Sequence, residues 1–100
     1  MAKFISLVNL TEQGVRDFKV SPDRAAKFKT MAQKIGVTVK DVYWTMGAHD
    51  VVLILEAPND EAIVAAMLDL ASLGNVRTQT LRAFDSSEMK EIISKTAKAR

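Results

Sequence analysis

Hydrophobic positions at two-residue spacing, together with short continuous apolar runs, predict four β-strands in this chain. The predicted strands cover 3–10, 37–46, 51–55 and 76–84. Apolar, β-branched and aromatic side chains dominate the first three, and such residues fit a pleated, half-buried surface. The fourth strand carries polar and apolar residues on both faces. Each of its faces is therefore expected to meet something other than bulk core.

Apolar residues at three- and four-residue spacing predict two main helices between these strands. The first helix is predicted to start with Ser21 as N-cap and Pro22 in its first turn, and to end at Gly36. The second is predicted to start at Asn59 and to end at Gly74. Seven residues give this second helix a broad apolar face: Ile63, Val64, Met67, Leu68, Leu70, Ala71 and Leu73.

Two shorter helices are also predicted. Thr11 can cap a helical turn that Gly14 keeps short. Asp85 and Glu88 match a capping box, which predicts a last helix with a small apolar stripe. The stripe is formed by Met89, Ile92 and Ile93, and it is followed by the basic residues Lys95, Lys98 and Arg100. This basic tail is interpreted as a solvated chain end.

The predicted order is β-α-β-β-α-β followed by a C-terminal helix, which is the plan of a ferredoxin-like α+β domain. We expect one antiparallel sheet with strand order 4-1-3-2, because right-handed crossovers leave few alternatives. Two helices are expected to cover one face of that sheet. The length of 100 residues predicts a single domain over 1–100.

The turn Gly47-Ala48-His49-Asp50 joins the second and third predicted strands and holds the only histidine of the chain. Gly47 can adopt a positive φ, and Asp50 can hydrogen-bond to nearby backbone. A functional interpretation makes His49 a general base or a pH-responsive group at a pocket mouth. The structural interpretation, which we favour, is a hairpin histidine that is exposed or packed at a subunit contact.

The sheet face opposite the helices must be covered by a partner or remain in water. Candidates for that face are Ser6, Tyr43 or Trp44, Glu56, Thr80 and Arg82. Arg82 with neighbouring threonines could hold a carboxylate or phosphate through its forked donors. The alternative, which we favour slightly, is an ion pair between Arg82 and Glu56, either inside the sheet or across a dimer interface. The candidate ligand-binding residues are therefore Tyr43, His49, Asp50, Thr80 and Arg82, with Gly47 as a structural turn.

Large apolar residues of the second and third strands fall on both faces of the predicted sheet. Leaving them in water forfeits roughly 1.5–3 kcal/mol of burial for each side chain. It would also expose a larger apolar patch than soluble monomers usually carry. We therefore predict a homodimer, or a higher oligomer, held by the sheet face opposite the helices.

Composition limits the kinds of site and partner that we expect for this chain. The chain has no cysteine and one histidine, so we expect neither a metal site nor a cofactor. A net charge of +2 without a nucleic-acid-reading motif predicts no nucleic-acid partner. The sequence lacks a signal-peptide pattern and any apolar run of about 18 residues. We therefore expect a cytoplasmic protein without a membrane partner.

Several stretches in the right order resemble the GYD-domain proteins, which are small and mostly bacterial. They are Leu10–Gly14, Thr45–Val52, Glu56–Pro58 and Gly74–Phe84, and the likeness covers nearly the whole chain. The hallmark of that family is a Gly-x-Tyr-Asp hairpin, in which this chain keeps Gly47 and Asp50 but has His49 at the tyrosine position. The resemblance implies the dimeric α+β barrel arrangement, with two ferredoxin-like sheets packed face to face, and it implies little about activity.

A looser likeness is to the effector-binding domain of Lrp/AsnC-type transcription regulators, which carry a Gly-x-x-Asp hairpin at the corresponding place. That likeness implies a small-molecule pocket between subunits. The chain lacks their helix-turn-helix, so it would be a stand-alone sensor.

Two functions remain open. The first is a homo-oligomeric binding or assembly module that holds a small organic or anionic ligand. The second is a dimeric-barrel enzyme, similar to a monooxygenase or isomerase, that acts on a small organic molecule. A closed interior favours the assembly module, whereas a cavity lined by Tyr43, His49 and Arg82 favours ligand binding or catalysis.

Overall fold

A computed structural model describes residues 1–98, so the predicted basic tail lies partly outside the described residues at Arg100. Its elements are β1 (Ala2–Leu10), α1 (Glu12–Arg16), a 3-10 turn (Phe18–Val20), α2 (Ser21–Lys34), β2 (Thr38–Trp44), β3 (Val51–Ala57), α3 (Asp60–Ser72), β4 (Val76–Ala83) and α4 (Ser86–Ser94). The four strands form one antiparallel sheet in the order β2-β3-β1-β4. The predicted ferredoxin-like order and strand arrangement are confirmed.

Alternation along the strands gives the sheet two faces, and α2 and α3 cover one of them. Along β3 every second residue from Val51 to Ala57 is buried against the helices. Phe4, Ser6 and Val8 of β1 occupy the same face and lie opposite Leu55, Leu53 and Val51 of β3. From the helices, the core receives Phe28, Ala32, Ile63, Ala66 and Met67.

Most predicted helix starts are confirmed by their hydrogen bonds. The side chains of Thr11 and Asn59 accept from the backbone N–H groups of Gly14 and Ala62, at 3.0 and 2.9 Å. Asp85 and Glu88 form the predicted capping box. The prediction for Ser21 was wrong, because α2 begins at Ser21 itself and Val20 takes the cap position without a side-chain bond.

The other sheet face carries no helix within residues 1–98. Its centre is apolar, with Tyr43 and Val52 beside Leu7 in one cross-strand row and Ile54, Ile5 and Leu81 in the next. Its charged residues lie at the rim, where Lys3 pairs across the strands with Glu56 and Asp41 of the edge strand β2 lies opposite Ile54. We call this surface, formed by Ile5, Leu7, Tyr43, Val52, Ile54 and Leu81 with their polar rim, the open face.

Three of the residues predicted for the open face lie on the helix side instead. The register of β1 and β4 sets Ser6 opposite Thr80 and Phe4 opposite Arg82, so all four share the face that packs on α3. Tyr43 and Glu56 do lie on the open face. The sequence did not identify the buried face of β4. Threonine and arginine lie on the face that packs on α3, whereas leucine and alanine lie on the other, so polarity alone points to the wrong face.

The helices differ in how fully their apolar residues are used. In α3, Ile63, Ala66 and Met67 are buried, but Val64 and Leu68 point away from the core and are exposed. The predicted broad apolar face is therefore only half packed. None of the helices within residues 1–98 is long and apolar enough to cross a membrane.

Candidate functional site

Little space is left between the sheet and the helices. The cavity found there has a volume of about 50 Å³ and is lined mainly by apolar side chains, including Phe28, Trp44 and Leu53. Pockets that hold small molecules usually measure about 300–1,000 Å³. Tyr43, His49 and Arg82 do not line this cavity. The interior of the described chain therefore favours the assembly hypothesis over a reaction inside one subunit.

The hairpin between β2 and β3 is fastened to the end of β1 through Asp50. The Asp50 carboxylate accepts from the backbone N–H of Leu10 at 2.8 Å, and the Asp50 backbone N–H donates to the carbonyl of Val8 at 2.8 Å. The Asp50 carbonyl also accepts from the backbone N–H of Thr45 at 2.9 Å. Gly47 within this turn has a φ of 110°. This conformation favours glycine, and the backbone role of Gly47 stays a prediction that substitution tests.

His49 is held against β1 by the side chain of Asn9. The Asn9 amide nitrogen donates to the carbonyl of Ala48 at 2.8 Å, so its oxygen faces Nδ1 of His49 at 2.9 Å and must accept from it. A neutral His49 therefore carries its proton on Nδ1. His49 is thus half-buried and hydrogen-bonded within its own chain, and both His49 and Asp50 take part in fastening the hairpin.

Tyr43 is 56% exposed and stands on the open face, in the edge strand β2 beside Val52. Trp44 points to the opposite face, where its indole Nε1 donates to Oγ of Ser21 at 3.0 Å. Tyr43 and Trp44 were alternative candidates for the open face in the sequence, and Tyr43 is the residue that lies there.

Thr80 takes part in a small buried polar contact under α3. Its hydroxyl lies 3.0 Å from Oγ of Ser6, and Ser6 is 3.6 Å from Sδ of Met67. Ser6 is the buried polar residue of the core, and these contacts satisfy its hydroxyl. Thr80 is thus engaged inside the fold rather than presented to a ligand on the open face.

Arg82 belongs to an ion-pair cluster at the start of α4. Its guanidinium donates to the carbonyls of Lys3 and Ala83 and lies 3.8 Å from the Glu88 carboxylate. The same guanidinium stacks over the ring of Phe84 at 4.4 Å. The expected pair with Glu56 inside the sheet was wrong, since the two side chains project from opposite faces of the sheet, and a pair across a dimer interface stays a prediction.

Lys3 completes this cluster from the open-face side. Its ammonium lies 3.2 Å from Asp85 and 3.3 Å from Glu88. Hydrogen bonds to these two carboxylates raise the pKa of Lys3. The backbone N–H of Glu88 lowers the pKa of Asp85, and the backbone N–H of Asp85 lowers that of Glu88, with Lys3 adding to both effects. The cluster fastens the first turn of α4 to the end of the sheet.

The sequence-predicted site residues do not form one site. His49 and Asp50 lie where β1 ends, whereas Arg82 pairs with the first residues of β1 at the other end of the sheet. Thr80 and Tyr43 project from opposite faces. Within the described residues, no group of three or more histidine, aspartate or glutamate side chains is placed to hold a metal ion.

Sequence reasoning missed the roles of three residues that shape these regions. Asn9 stands out only as a polar residue at the end of an apolar strand, and Glu88 only as a capping residue. Gly14 is predicted only to shorten a helix, but a Cβ there would lie 1.9 Å from the carbonyl oxygen of Asn75. Each role depends on a partner that is distant in the chain: His49 is 40 residues from Asn9, and Lys3 is 85 residues from Glu88. Gly14 contacts Asn75, which lies between α3 and β4. No local pattern reveals such contacts.

An open cleft of about 310 Å³ lies at the end of the open face that carries Lys3 and Glu56. Ile5, Ile54 and Phe84 form part of its apolar wall. Charges of both signs surround it, including Lys40 and Asp41. The cleft widens onto the open face, which makes the open face, rather than a closed pocket, the principal candidate site of the described chain.

Known proteins resemble this chain over most of its length. A Thermus thermophilus protein described as a "Glutamine synthetase and cystathionine beta-lyase binding protein" is 33% identical over 90 residues, covering 89% of this chain and 95% of the relative. A crystal structure of a protein from Thermus thermophilus has a TM-score of 0.57 at 22% identity, covering 86% of this chain and 96% of that one.

The leucine response regulatory protein of Mycobacterium tuberculosis shares the fold, with a TM-score of 0.59 at 14% identity. The match covers 85% of this chain but only 51% of the regulator. The GYD domain model matches residues 4–93, nearly the full length. With this match and the 33% identical relative, the chain belongs to the GYD-domain family.

Proposed function

We propose that this chain is a non-catalytic, self-associating binding module whose copies pair through the open face and whose assembly binds other proteins. The apolar centre of the open face carries the proposal, since no helix covers it within residues 1–98. Ile5, Leu7, Val52 and Ile54 project from the two central strands, β1 and β3, where flanking strands leave them only partly exposed. A second copy would remove the remaining area from water.

A two-fold arrangement suits this surface because the same patch can serve both chains. The charged row across Lys3 and Glu56 presents opposite signs side by side on neighbouring strands. Lys3 is already paired with Asp85 and Glu88, and a partner sheet turned by a half rotation can add Glu56 of the other copy to this shared network. Such pairs fix the register of two sheets and add little to the net free energy of association.

The protein partner is proposed from the relative that is 33% identical, whose description names two enzymes that it binds. A binding role needs neither a closed pocket nor a convergent set of catalytic side chains, and the described residues offer neither in the interior. The 310 Å³ cleft at the end of the open face is where a small organic or anionic ligand would fit between two copies.

The self-association is tested by sedimentation equilibrium at micromolar concentrations. The wild-type chain should sediment as a dimer or larger, against a monomer mass of 11.0 kDa. Ile54→Asp should increase the dimer dissociation constant at least 100-fold, because it introduces two unpaired charges at the centre of the interface. Phe18→Asp is the matched control, since Phe18 is exposed in the connection to α2, away from the open face. A monomeric wild-type protein would disprove this part of the proposal.

Protein binding is tested by interferometry with purified glutamine synthetase and cystathionine β-lyase from the organism that encodes the chain. We expect saturable binding by the wild-type protein with a Kd below about 10 μM. Absence of saturable binding to both enzymes up to about 100 μM would refute the extension from the relative.

A further inference from the structure

The last helix, α4, has an apolar stripe that its own chain does not cover. Met89 and Ile93 are 47% and 48% exposed, and contacts of α4 with the body involve its first turn, through Asp85 and Glu88. The described chain extends 54 Å along its longest axis but only 31 and 18 Å along the others. Its radius of gyration of 15.4 Å exceeds the value of about 13 Å typical of a compact domain of this length. The helix therefore projects from the body as an arm.

A second uncovered apolar surface lies on α3. Val64 and Leu68 are 53% and 65% exposed, although both belong to the middle of the helix. Between α3 and the edge strand β4 runs a groove of about 230 Å³. We call it the α3–β4 groove, lined by Ile63, Val64, Met67, Leu68, Ala71, Thr78 and Thr80.

The arm and the groove carry opposite charges. Every charged residue of α3 is acidic, and Asp60 and Glu61 lie one turn before Val64. The stripe of α4 is flanked along the helix by Lys90 and Lys95. Of the acidic residues of α4, Glu88 is already paired with Lys3 and Arg82, and Glu91 lies about 150° around the helix from the centre of the stripe. The free charge beside the stripe is thus positive, and that beside the groove is negative.

We propose that α4 of one copy lies in the α3–β4 groove of a second copy, with Met89 and Ile93 packed against Val64 and Leu68. The arm does not reach its own groove in the structure, because only Phe84 and Asp85 join it to β4 and its first turn is fixed by Lys3 and Arg82. A second copy carries the same groove without this restriction.

This proposal rests on the self-association proposed above but uses a different surface. The open face and the helix layer are on opposite sides of the sheet, so one chain can make both contacts at once. A single short helix in a groove is small compared with the roughly 1,200–2,000 Å² buried in stable interfaces. The contact therefore links open-face dimers into larger assemblies, where several weak contacts act together.

A complementation experiment tests the proposal with full-length chains and light scattering after size-exclusion chromatography. Leu68→Glu damages the groove, Met89→Glu damages the arm, and each variant alone should weaken the larger assembly at least tenfold. An equimolar mixture should regain a larger species, since the intact arm of one variant meets the intact groove of the other. Val15→Glu, an exposed apolar position on α1, is the control that should leave assembly unchanged.

Charge reversal gives an independent measurement. Glu61→Lys should weaken the larger assembly at least threefold, and a chain with Lys90→Glu should restore binding to it in a mixture. A wild-type chain that remains a dimer at about 200 μM, or variants that assemble as the wild type does, would overturn the inference. A mixture that fails to regain the larger species would also overturn it.

Ile54→Asp separates this inference from the proposed function. If Ile54→Asp abolishes the dimer and Leu68→Glu changes nothing, the open-face dimer stands and the arm contact is refuted. If Leu68→Glu abolishes assembly and Ile54→Asp does not, the arm contact stands and the open-face dimer is refuted.

Discussion

Two glycines of this chain are required for different physical reasons, and the same substitution can distinguish them. At Gly14, a Cβ would lie 1.9 Å from the backbone oxygen of Asn75, which cannot move away easily. That oxygen also accepts from the backbone N–H of Thr11 at 3.0 Å. At Gly47, a Cβ would meet nothing within 4 Å, and the φ of 110° is the only obstacle.

We therefore expect Gly14→Ala to destabilise the fold by about 3 kcal/mol or more, because backbone must shift to relieve the overlap. Gly47→Ala should cost about 1–2 kcal/mol, which reflects only the unfavourable φ. Urea unfolding of both variants measures the two values. Equal costs, or a larger cost at Gly47, would contradict the assignment of a close contact to Gly14.

The pair of Asn9 and His49 tests the structural interpretation of the hairpin. Each single change to alanine should cost about 0.5–1.5 kcal/mol, since each removes hydrogen bonds of ordinary strength. A double-mutant cycle in urea should give a coupling of similar size, because the two side chains contact each other at 2.9 Å. The control cycle pairs Asn9 with Thr45. The Thr45 hydroxyl donates to the backbone carbonyl of His49 and not to its side chain. A coupling near zero for Asn9 and His49 would show that the contact does not fasten the hairpin.

Helix N-caps could be predicted from the sequence because their hydrogen bonds join residues that are close in the chain. Thr11 and Asn59 each bond to a backbone N–H three residues ahead. Ser21 was the exception, since its hydroxyl accepts from Trp44 instead of capping α2. That partner lies on another element, and the same limitation hid the contact between Gly14 and Asn75.

Among the elements, both β3 and β4 were predicted as strands, but only for β3 did the sequence also indicate burial correctly. A central strand with apolar residues on both faces gives a continuous apolar run, as Val51 to Leu55 do. The edge strand β4 mixes threonine and arginine with leucine and glutamine, so the sequence did not show that Thr80 faces α3. The sequence also did not predict that apolar residues of α3 and α4 remain exposed. An apolar residue in a helix predicts burial, but it does not indicate which surface buries it.

The attachment of α4 should depend on pH in a defined direction. The lowered pKa values of Asp85 and Glu88 mean that both carboxylates stabilise the attachment above their ordinary pKa values of 3.8 and 4.5. This contribution is lost as pH falls through the lowered folded values. The raised pKa of Lys3 has the opposite sign, so its contribution is present below the ordinary value of 10.5 and is lost as pH rises through the folded value.

Hydrogen exchange of the α4 amides should therefore be slowest on a plateau between about pH 5 and 10, after correction for intrinsic exchange. Lys3→Gln should raise exchange on that plateau, and about 1 M NaCl should do the same because the groups are exposed. Lys27→Gln, on α2, is the matched control. Protection of α4 that is unchanged by Lys3→Gln and by salt would show that the ion pairs do not hold the helix.

At the scale of the whole molecule, stability and association should be linked. The described chain buries one face of its sheet and leaves the apolar centre of the other without a covering helix within residues 1–98. Anything that binds only the folded chain raises its apparent stability by mass action, and a second copy bound at the open face, as proposed, would be such a ligand. The melting temperature of a dimer therefore increases with protein concentration, whereas that of a monomer does not.

We expect a 100-fold increase in concentration, from about 2 to 200 μM, to raise the melting temperature of the wild-type chain by about 5–10 °C. This follows because RT ln 100 adds about 2.7 kcal/mol for each dimer, or roughly half of that for each chain. Ile54→Asp should melt at a lower temperature that does not change with concentration, and Phe18→Asp should follow the wild type. A melting temperature that is independent of concentration in the wild-type chain, well above the dissociation constant measured by sedimentation, would show that the open face contributes nothing to folding.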